Sequence, residues 1–580
     1  NSLLSKCLKP YRIFRLSTDD HVLCWSLMFV ITVLSCMSIG TGKHVWLLIC
    51  FVLDHPMVIS GNTVLMIDPH QQADKVNAMM DLKEMPSMSG INLDAFVDTL
   101  DGTFGFGRQC IDENYFPGTL FWFPLRETES DLSSTLYDTD KVLQLFEVFK
   151  EEANSVLIFL KSLSSVELYT RTGSEGIGLH KRGEIRILDE DGKVEETRNE
   201  FKTKLSNLSQ NEDITFPIQL TIRTSFSDVT EERTWLVVNY VVGKSASPNF
   251  RKLIRDKTFG YSPCVGVAMC LEPSISVEGH IFCFLPLPKE GSRHTGLPVH
   301  VNGFFALNQN RHHLKWATDQ QKGKTVDDKS ILWNEKMITE ALPRAYQQLI
   351  LAAMEYSETK TFTDESVQLV YSLIPDSSII VDAKWKSFVS KAMERLRDQR
   401  ICYCQHSSSW VSIENAVFTT FDNLAPALDH VKTPVMACLS RIGKHAVQIE
   451  AKKVATLKTY FKAVTEISPS VLSTFLKKDA HYKDLDDDSK HAVLSYLLQD
   501  KDVKKIQDLD LLQLLSGEWI KFKRHGQVVY VAKEDITIFP GLDDRFCSPA
   551  MLKHSSSLSS VICKGMFNVF LVSDKLFPIA

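Results

Sequence analysis

Apolar positions along the chain form three kinds of pattern, each in its own stretch. Near the N-terminus, residues 22–40 run without a charged side chain, and residues 45–53 add a second apolar run after Gly42-Lys43-His44. That length and composition meet the criterion for a membrane-spanning helix, so the literal expectation is a single-pass anchor. Short β-type runs then begin, at 63–67, ended by Asp68-Pro69, and at 120–125. Residues 140–162 carry Val142, Leu143, Leu145, Phe146 and Phe149 on one stripe, which predicts a helix, and a further apolar stretch starts at Val156.

The middle of the chain reads as sheet. Segments 183–188, 218–224, 234–242 and 265–270 are rich in β-branched and aromatic residues, separated by a charged loop expected over 189–198 and an acidic turn expected over 228–233. Residues 280–287 alternate His280, Phe282 and Phe284 against Ile281, Cys283 and Leu285, apolar on both faces, so they predict a strand buried on two sides. Pro286 and Pro288 end it, a charged loop follows over 289–296, and a second apolar segment spans 299–307. Arg311, His312, His313 and Lys315 beside Trp316 then form a basic rim.

Helical spacing dominates afterwards. Residues 338–357 predict a strong helix despite Pro343, and helices are expected over 434–464, 469–476 and 488–498. The first two open with proline after Thr433 and Ser468, the order of an N-cap and a first helical residue, and the acidic run 484–488 reads as a linker or cap. Hairpins are expected between 401–404 and 409–413, and between 519–523 and 528–532 across His525-Gly526. The class is therefore α+β, with a mostly antiparallel mixed sheet in the middle and a helix-rich C-terminal region with hairpins. No short-period repeat supports a solenoid.

A chain of 580 residues is too long for one core. The expected divisions are 1–53, 54–171, 172–330 and 331–580. A formal charge of −6 lacks the basic footprint of a nucleic-acid partner. The thirteen cysteines are scattered, and Cys402-Tyr403-Cys404-Gln405-His406 lacks a second ligand pair at zinc-knuckle spacing, so reduced thiols and a cytoplasmic location are expected, with no metal. Asn207-Leu208-Ser209 would be a glycosylation site only in a secretory lumen.

Catalytic patterns are sparse. Gly40-Thr41-Gly42-Lys43 fails as a P-loop, because Met37 takes the place of the first glycine and His44 follows the lysine. His294, His300, His312 and His313 cluster in sequence, but their spacing favours core or solvated imidazoles over a metal or general-base role. No nucleophile elbow or His-Glu-x-x-His is present, and no catalytic residue is assigned.

Several segments together resemble the sacsin family. They are Phe282–Pro288 (FCFLPLP), Gly296–Leu307 (GLPVHVNGFFAL) and Arg311–Trp316 (RHHLKW), with Ser60-Gly61, Asp68-Pro69-His70 and Gly118–Arg126 (GTLFWFPLR) upstream. Tyr371–Pro375 and Trp385 extend the likeness downstream, and it covers roughly residues 54–540. It begins abruptly at Asp54-His55-Pro56. Residues 1–53 are therefore expected to be foreign to the family, the product of an erroneous gene model rather than an anchor, and the chain, which opens at Asn1, is expected to be a fragment.

The resemblance implies a front domain related to the GHKL nucleotide-binding fold of the ninety-kilodalton heat-shock chaperone. The Glu/Asn helix and the Asp-x-Gly-x-Gly turn of that fold cannot be placed upstream of Asp54, and Asp101 stands too far from Gly105-Phe106-Gly107 to replace the turn. Only Thr119 survives, as a vestigial nucleotide-binding position, so ATP and Mg²⁺ are expected only if the missing boxes lie upstream. The family signature implies a recognition surface at His300, Asn302, Arg311 and Trp316. It also implies a chaperone-like scaffold whose partners are unfolded clients and the seventy-kilodalton heat-shock chaperone system. The alternatives are an ATP-dependent GHKL-class chaperone and a membrane-anchored binding protein.

Overall fold

The structure is a computed structural model. It describes residues 13–18, 21–24, 57–67, 77–87, 105–122, 129, 139–172, 178–206, 212–227, 229–256, 259–273, 277–288, 294–308, 312–317, 328–359, 364–421, 424, 426–500, 502–525, 527–531, 541–554, 567 and 569–571. The chain is α+β and divides into two compact units, residues 1–359 with 379–392, and residues 360–378 with 393–580.

The first unit is built on a fourteen-stranded sheet. Its strands are β1 (Ile13–Thr18), β2 (His21–Cys24), β3 (Met57–Gly61), β4 (Thr63–Ile67), β5 (Asn77–Asp81), β6 (Phe116–Trp122) and β7 (Ser165–Thr172). They continue as β8 (Gly178–Leu188), β9 (Ile214–Phe226), β10 (Val229–Val241), β11 (Cys264–Glu272), β12 (Ile281–Cys283), β13 (Leu285–Pro286) and β14 (His300–Gly303). The order is β13-β12-β14-β11-β10-β9-β8-β7-β1-β2-β6-β3-β4-β5. The β12–β14 and β2–β6 pairs are parallel and the rest antiparallel, as the sequence predicts for the middle region. The division expected at 171/172 falls inside the β7–β8 pair, because the two segments share one sheet. The one expected at 330/331 also falls within this unit, inside the helix Lys329–Lys336.

Alternation sets the faces. Along β9, Phe216, Ile218, Leu220, Ile222, Thr224 and Phe226 are buried while Thr215, Pro217, Gln219 and Arg223 are exposed. Buried Ile218, Leu220, Ile222, Trp235, Val237, Ala268 and Cys270 share a core with Phe146, Phe149 and the apolar turns at 156–159. Phe146 and Phe149 belong to the predicted helix, here α1 (Thr139–Glu152). The helix Leu342–Thr359 packs on β10 and β11, so β11 is covered on both faces and buried from Cys264 to Leu271.

Two expected connections are regular structure instead. The charged run 189–198 contributes to helix α2 (Lys193–Ser206), because Asp189 accepts from Val194 N (2.9 Å) and Glu195 N (2.8 Å), and Glu195 and Glu196 favour the first turn. The acidic run 229–233 is not a turn but the start of β10; the reversal is at Ser227 (φ +53°), and Glu232 pairs across the strands with Arg223 at 2.7 Å. The predicted helix 338–357 is real and longer. Helix α3 (Lys329–Lys336), a π-turn at Met337–Ala341 and α4 (Leu342–Thr359) follow one another without a break.

In the second unit, strands Ala416–Thr419, His445–Gln448 and Thr465–Glu466 form a parallel three-stranded sheet. Its crossovers are helices Lys432–Arg441 and Ala451–Tyr460. The single helix expected over 434–464 is therefore broken. Gly443 (φ +66°) ends the first helix, where Lys444 N donates to Leu439 O (2.8 Å) and Gly443 N to Ser440 O (2.9 Å), the two bonds of a Schellman motif. That helix begins at Lys432, so Thr433 is not its cap, whereas Ser468 does cap Pro469–Lys478 through Val471 N. Asp486 caps Asp487–Leu497.

The hairpin at 401–413 is present, with Cys402–Cys404 antiparallel to Ser409–Val411. The one expected across His525-Gly526 is not: Trp519–Lys521 pairs with Asp510–Gln513, and Val529–Val531 runs parallel to Val569–Leu571. Long-range burial of Leu511, Leu512, Val529, Val531 and Val569 in one core outweighs the local turn signal.

Of the apolar run at 22–40, Val22, Leu23 and Cys24 lie in β2, and residues 25–40 fall outside the described residues. Among the described residues, no helix is long and apolar enough to cross a membrane. Residues 207–209 and Asp101 also lie outside them.

Candidate functional site

The signature segment occupies the β12–β13–β14 end of the large sheet. Phe284 breaks the predicted strand 280–287 into β12 and β13 by adopting φ +70°, a left-handed conformation costly for a residue with a Cβ. Asn302 on β14 holds it there, its Oδ1 accepting from Phe284 N at 2.7 Å. The Phe284 ring packs edge-on against Phe304 at 4.6 Å.

His300, on the same strand, accepts from His280 N through Nδ1 at 3.1 Å and lies 5.2–5.3 Å from the rings of Trp235, His280 and Phe282. His300 and Asn302 are 5% and 3% exposed, so they do not form the recognition surface expected of them. Their polar atoms serve backbone N–H groups of the neighbouring strand, which is what a buried polar side chain must do to offset its lost hydration. Trp316 is half-buried with Lys384 Nζ 5.9 Å over its ring, and Arg311 lies outside the described residues.

Three residues that the sequence did not single out hold this segment in place. Asn334 of α3 is fully buried; its Oδ1 accepts from Ala306 N (2.8 Å) and its Nδ2 donates to Ala306 O (2.7 Å) and Lys315 O (2.8 Å). Trp333 Nε1 donates to Phe304 O at 2.7 Å. Thr295 Oγ1 donates to Gly279 O (3.1 Å) and accepts from Leu297 N (3.0 Å). At Gly279 a Cβ would stand 2.3 Å from Val299 O and 2.5 Å from Leu297 O, so only glycine fits. The signal available for Asn334 was a lone polar residue among the apolar positions of a helix.

Alongside, His280 and His294 face each other as a cross-strand bridge, ring centroids 4.9 Å apart, and His294 Nδ1 lies 2.9 Å from Glu278 Oε1. His312 and His313 are half-buried.

Elsewhere in the unit, Thr119 on β6 lies opposite Ser60 on β3, their hydroxyls 2.8 Å apart. An open cleft beside α2 is lined by Lys161, Arg186, Arg198, Lys202 and Arg223. Much of its charge is committed to the fold: Arg198 donates to Leu163 O and Leu157 O, Arg186 pairs with Glu184 and Arg223 with Glu232. In the second unit Cys402 and Cys404 share a buried face, and burial pushes the Cys402 thiol up to about 12.

A long, mostly antiparallel sheet whose buried polar signature residues bind backbone, with helices packed against it, defines an α+β protein. Residues 47–177 match the Sacsin domain family model. The chain is also 30% identical over 541 residues to human Sacsin (Homo sapiens), an alignment taking in 87% of this chain. It belongs to the sacsin family. The matched part is 11% of the length of that relative.

Proposed function

We propose that the chain is a chaperone-type scaffold that holds partly unfolded client proteins, without hydrolysing ATP, in the cytoplasm. The observation that carries this reading is kinship with Sacsin along most of the chain. The terminal sheet strand supports it: among the described residues β5 stands last in the sheet order, and Met79 on it is 76% exposed, so an extended apolar client segment can add there by strand pairing. Eight buried cysteines among the described residues are free thiols, as a reducing compartment requires. The seventy-kilodalton heat-shock chaperones, which take such clients onward, are the partners this role calls for.

The test is light scattering from a thermally unfolding model client with and without the 580-residue chain. Suppression without nucleotide, unchanged by ATP and weakened by Met79→Asp, is the expected result. Absence of suppression, or suppression only with hydrolysable ATP, overturns the reading.

A further inference from the structure

We infer that Glu278, His280 and His294 form a site for a divalent transition-metal ion, with Zn²⁺ the best match. One ligand atom from each of these residues lies within 4.8 Å of the others. The topology produces this convergence. His280 and His294 are bridge partners on antiparallel segments, so their imidazoles emerge on one face, and Glu278 precedes His280 by two residues and shares its side in extended chain.

The backbone under the ligands is fixed before any ion arrives. Thr295 N donates to Gly279 O (2.9 Å) and Gly279 N to Leu297 O (2.9 Å), so a clamp sits one residue from each histidine. Thr295 Oγ1 reinforces it, and the space at Gly279 admits no Cβ. His300 Nδ1, accepting from His280 N, holds the other side of His280. A site whose supporting shell is locked loses little freedom on binding.

The donor set selects the metal. Two imidazoles and one carboxylate are borderline nitrogen and oxygen ligands that suit Zn²⁺, while Mg²⁺ and Ca²⁺ require oxygen throughout. Tetrahedral Zn²⁺ with ligands at about 2.0–2.1 Å places neighbouring donors about 3.3 Å apart. The 2.9 Å contact between His294 Nδ1 and Glu278 Oε1 opens to that separation with a small side-chain rotation. Glu278 and His294 are exposed, which gives an ion access, and three protein ligands leave a fourth position to water.

The test uses the full chain freed of metal by chelation and titrated with Zn²⁺ against a chromophoric chelator. One Zn²⁺ per chain is expected, with affinity reduced at least about tenfold by His294→Gln and by His280→Gln, and unchanged by His312→Gln. Circular dichroism checks that the variants stay folded, and His294, being exposed, tolerates replacement. Co²⁺ substitution is expected to give ligand-field bands without a thiolate charge-transfer band. Failure to bind Zn²⁺, an affinity in the His294→Gln and His280→Gln variants equal to that of the unsubstituted chain, or a thiolate band would each overturn the assignment.

Discussion

The amide of Asn302 reaches across from β14 and accepts from the backbone N–H of Phe284 at 2.7 Å, at the one place where the β12–β13 chain takes a left-handed turn. Both residues are buried. The bond satisfies an N–H that sheet pairing leaves over, and it stabilises a backbone conformation that Phe would otherwise avoid. Asn302→Ala is expected to cost about 1–3 kcal/mol, the penalty for a buried unsatisfied donor, measured by urea unfolding. A cost within error of zero would show that water or another acceptor takes over.

Two glycines separate space from conformation. At Gly279 a Cβ meets backbone oxygens at 2.3 and 2.5 Å, whereas at Gly443 (φ +66°) it meets nothing within 4 Å. Gly443→Ala is therefore expected to cost only the left-handed penalty, about 1–2 kcal/mol. Gly279→Ala must force two segments apart and should cost about 3 kcal/mol or more. Thermal unfolding of both variants checks the order, and the reverse order would refute the packing argument.

Asn334 offers a third test. Its carboxamide serves three backbone groups at once, on Ala306 and Lys315. Asn334→Leu keeps the branched shape, adds bulk and leaves those groups without the amide, so a loss of about 3 kcal/mol or more is expected. Hydrogen exchange should then quicken at Ala306, whose N–H the side chain protects. Unchanged protection there would count against a positioning role.

Glu340 makes stability depend on pH. Burial by itself raises its pKa, but hydrogen bonds from Ser247 N (2.9 Å) and Ser247 Oγ (2.7 Å), with Lys336 alongside, outweigh it and hold the carboxyl below its ordinary 4.5. A folded pKa below the unfolded one means that this stabilisation is complete above about pH 4.5 and is lost as pH falls through the folded value. Glu340→Gln should flatten the fall in stability in that acid window. Parallel acid unfolding curves for the two proteins would remove Glu340 from the account.

The cysteines give a chemical test. Burial pushes Cys283, Cys402, Cys438 and Cys547 each up to about 12, so their thiolates are scarce and shielded near neutral pH. Iodoacetamide at pH 8 should leave all four unmodified in the native chain and alkylate them after unfolding, as read by peptide mass mapping. Fast native labelling of Cys402 would contradict the buried hairpin.

What repeats locally was legible in the amino-acid order. Alternation in β9, the stripe of Phe146 and Phe149 in α1, the proline after Ser468 and the hairpin around Cys402 are written in neighbours a few residues apart, because strand and helix periods and cap chemistry act over that range. The motifs from Phe282 to Trp316 also carried the family. The choices that depend on partners distant in sequence were settled by folding. Whether 529–531 pairs with its near neighbour or with 569–571 depended on a shared core. Whether His300 and Asn302 face solvent or strand depended on what lay beyond β14. Burial converts a polar residue from a recognition group into a backbone ligand, and burial is a property of the assembled sheet rather than of any residue in it.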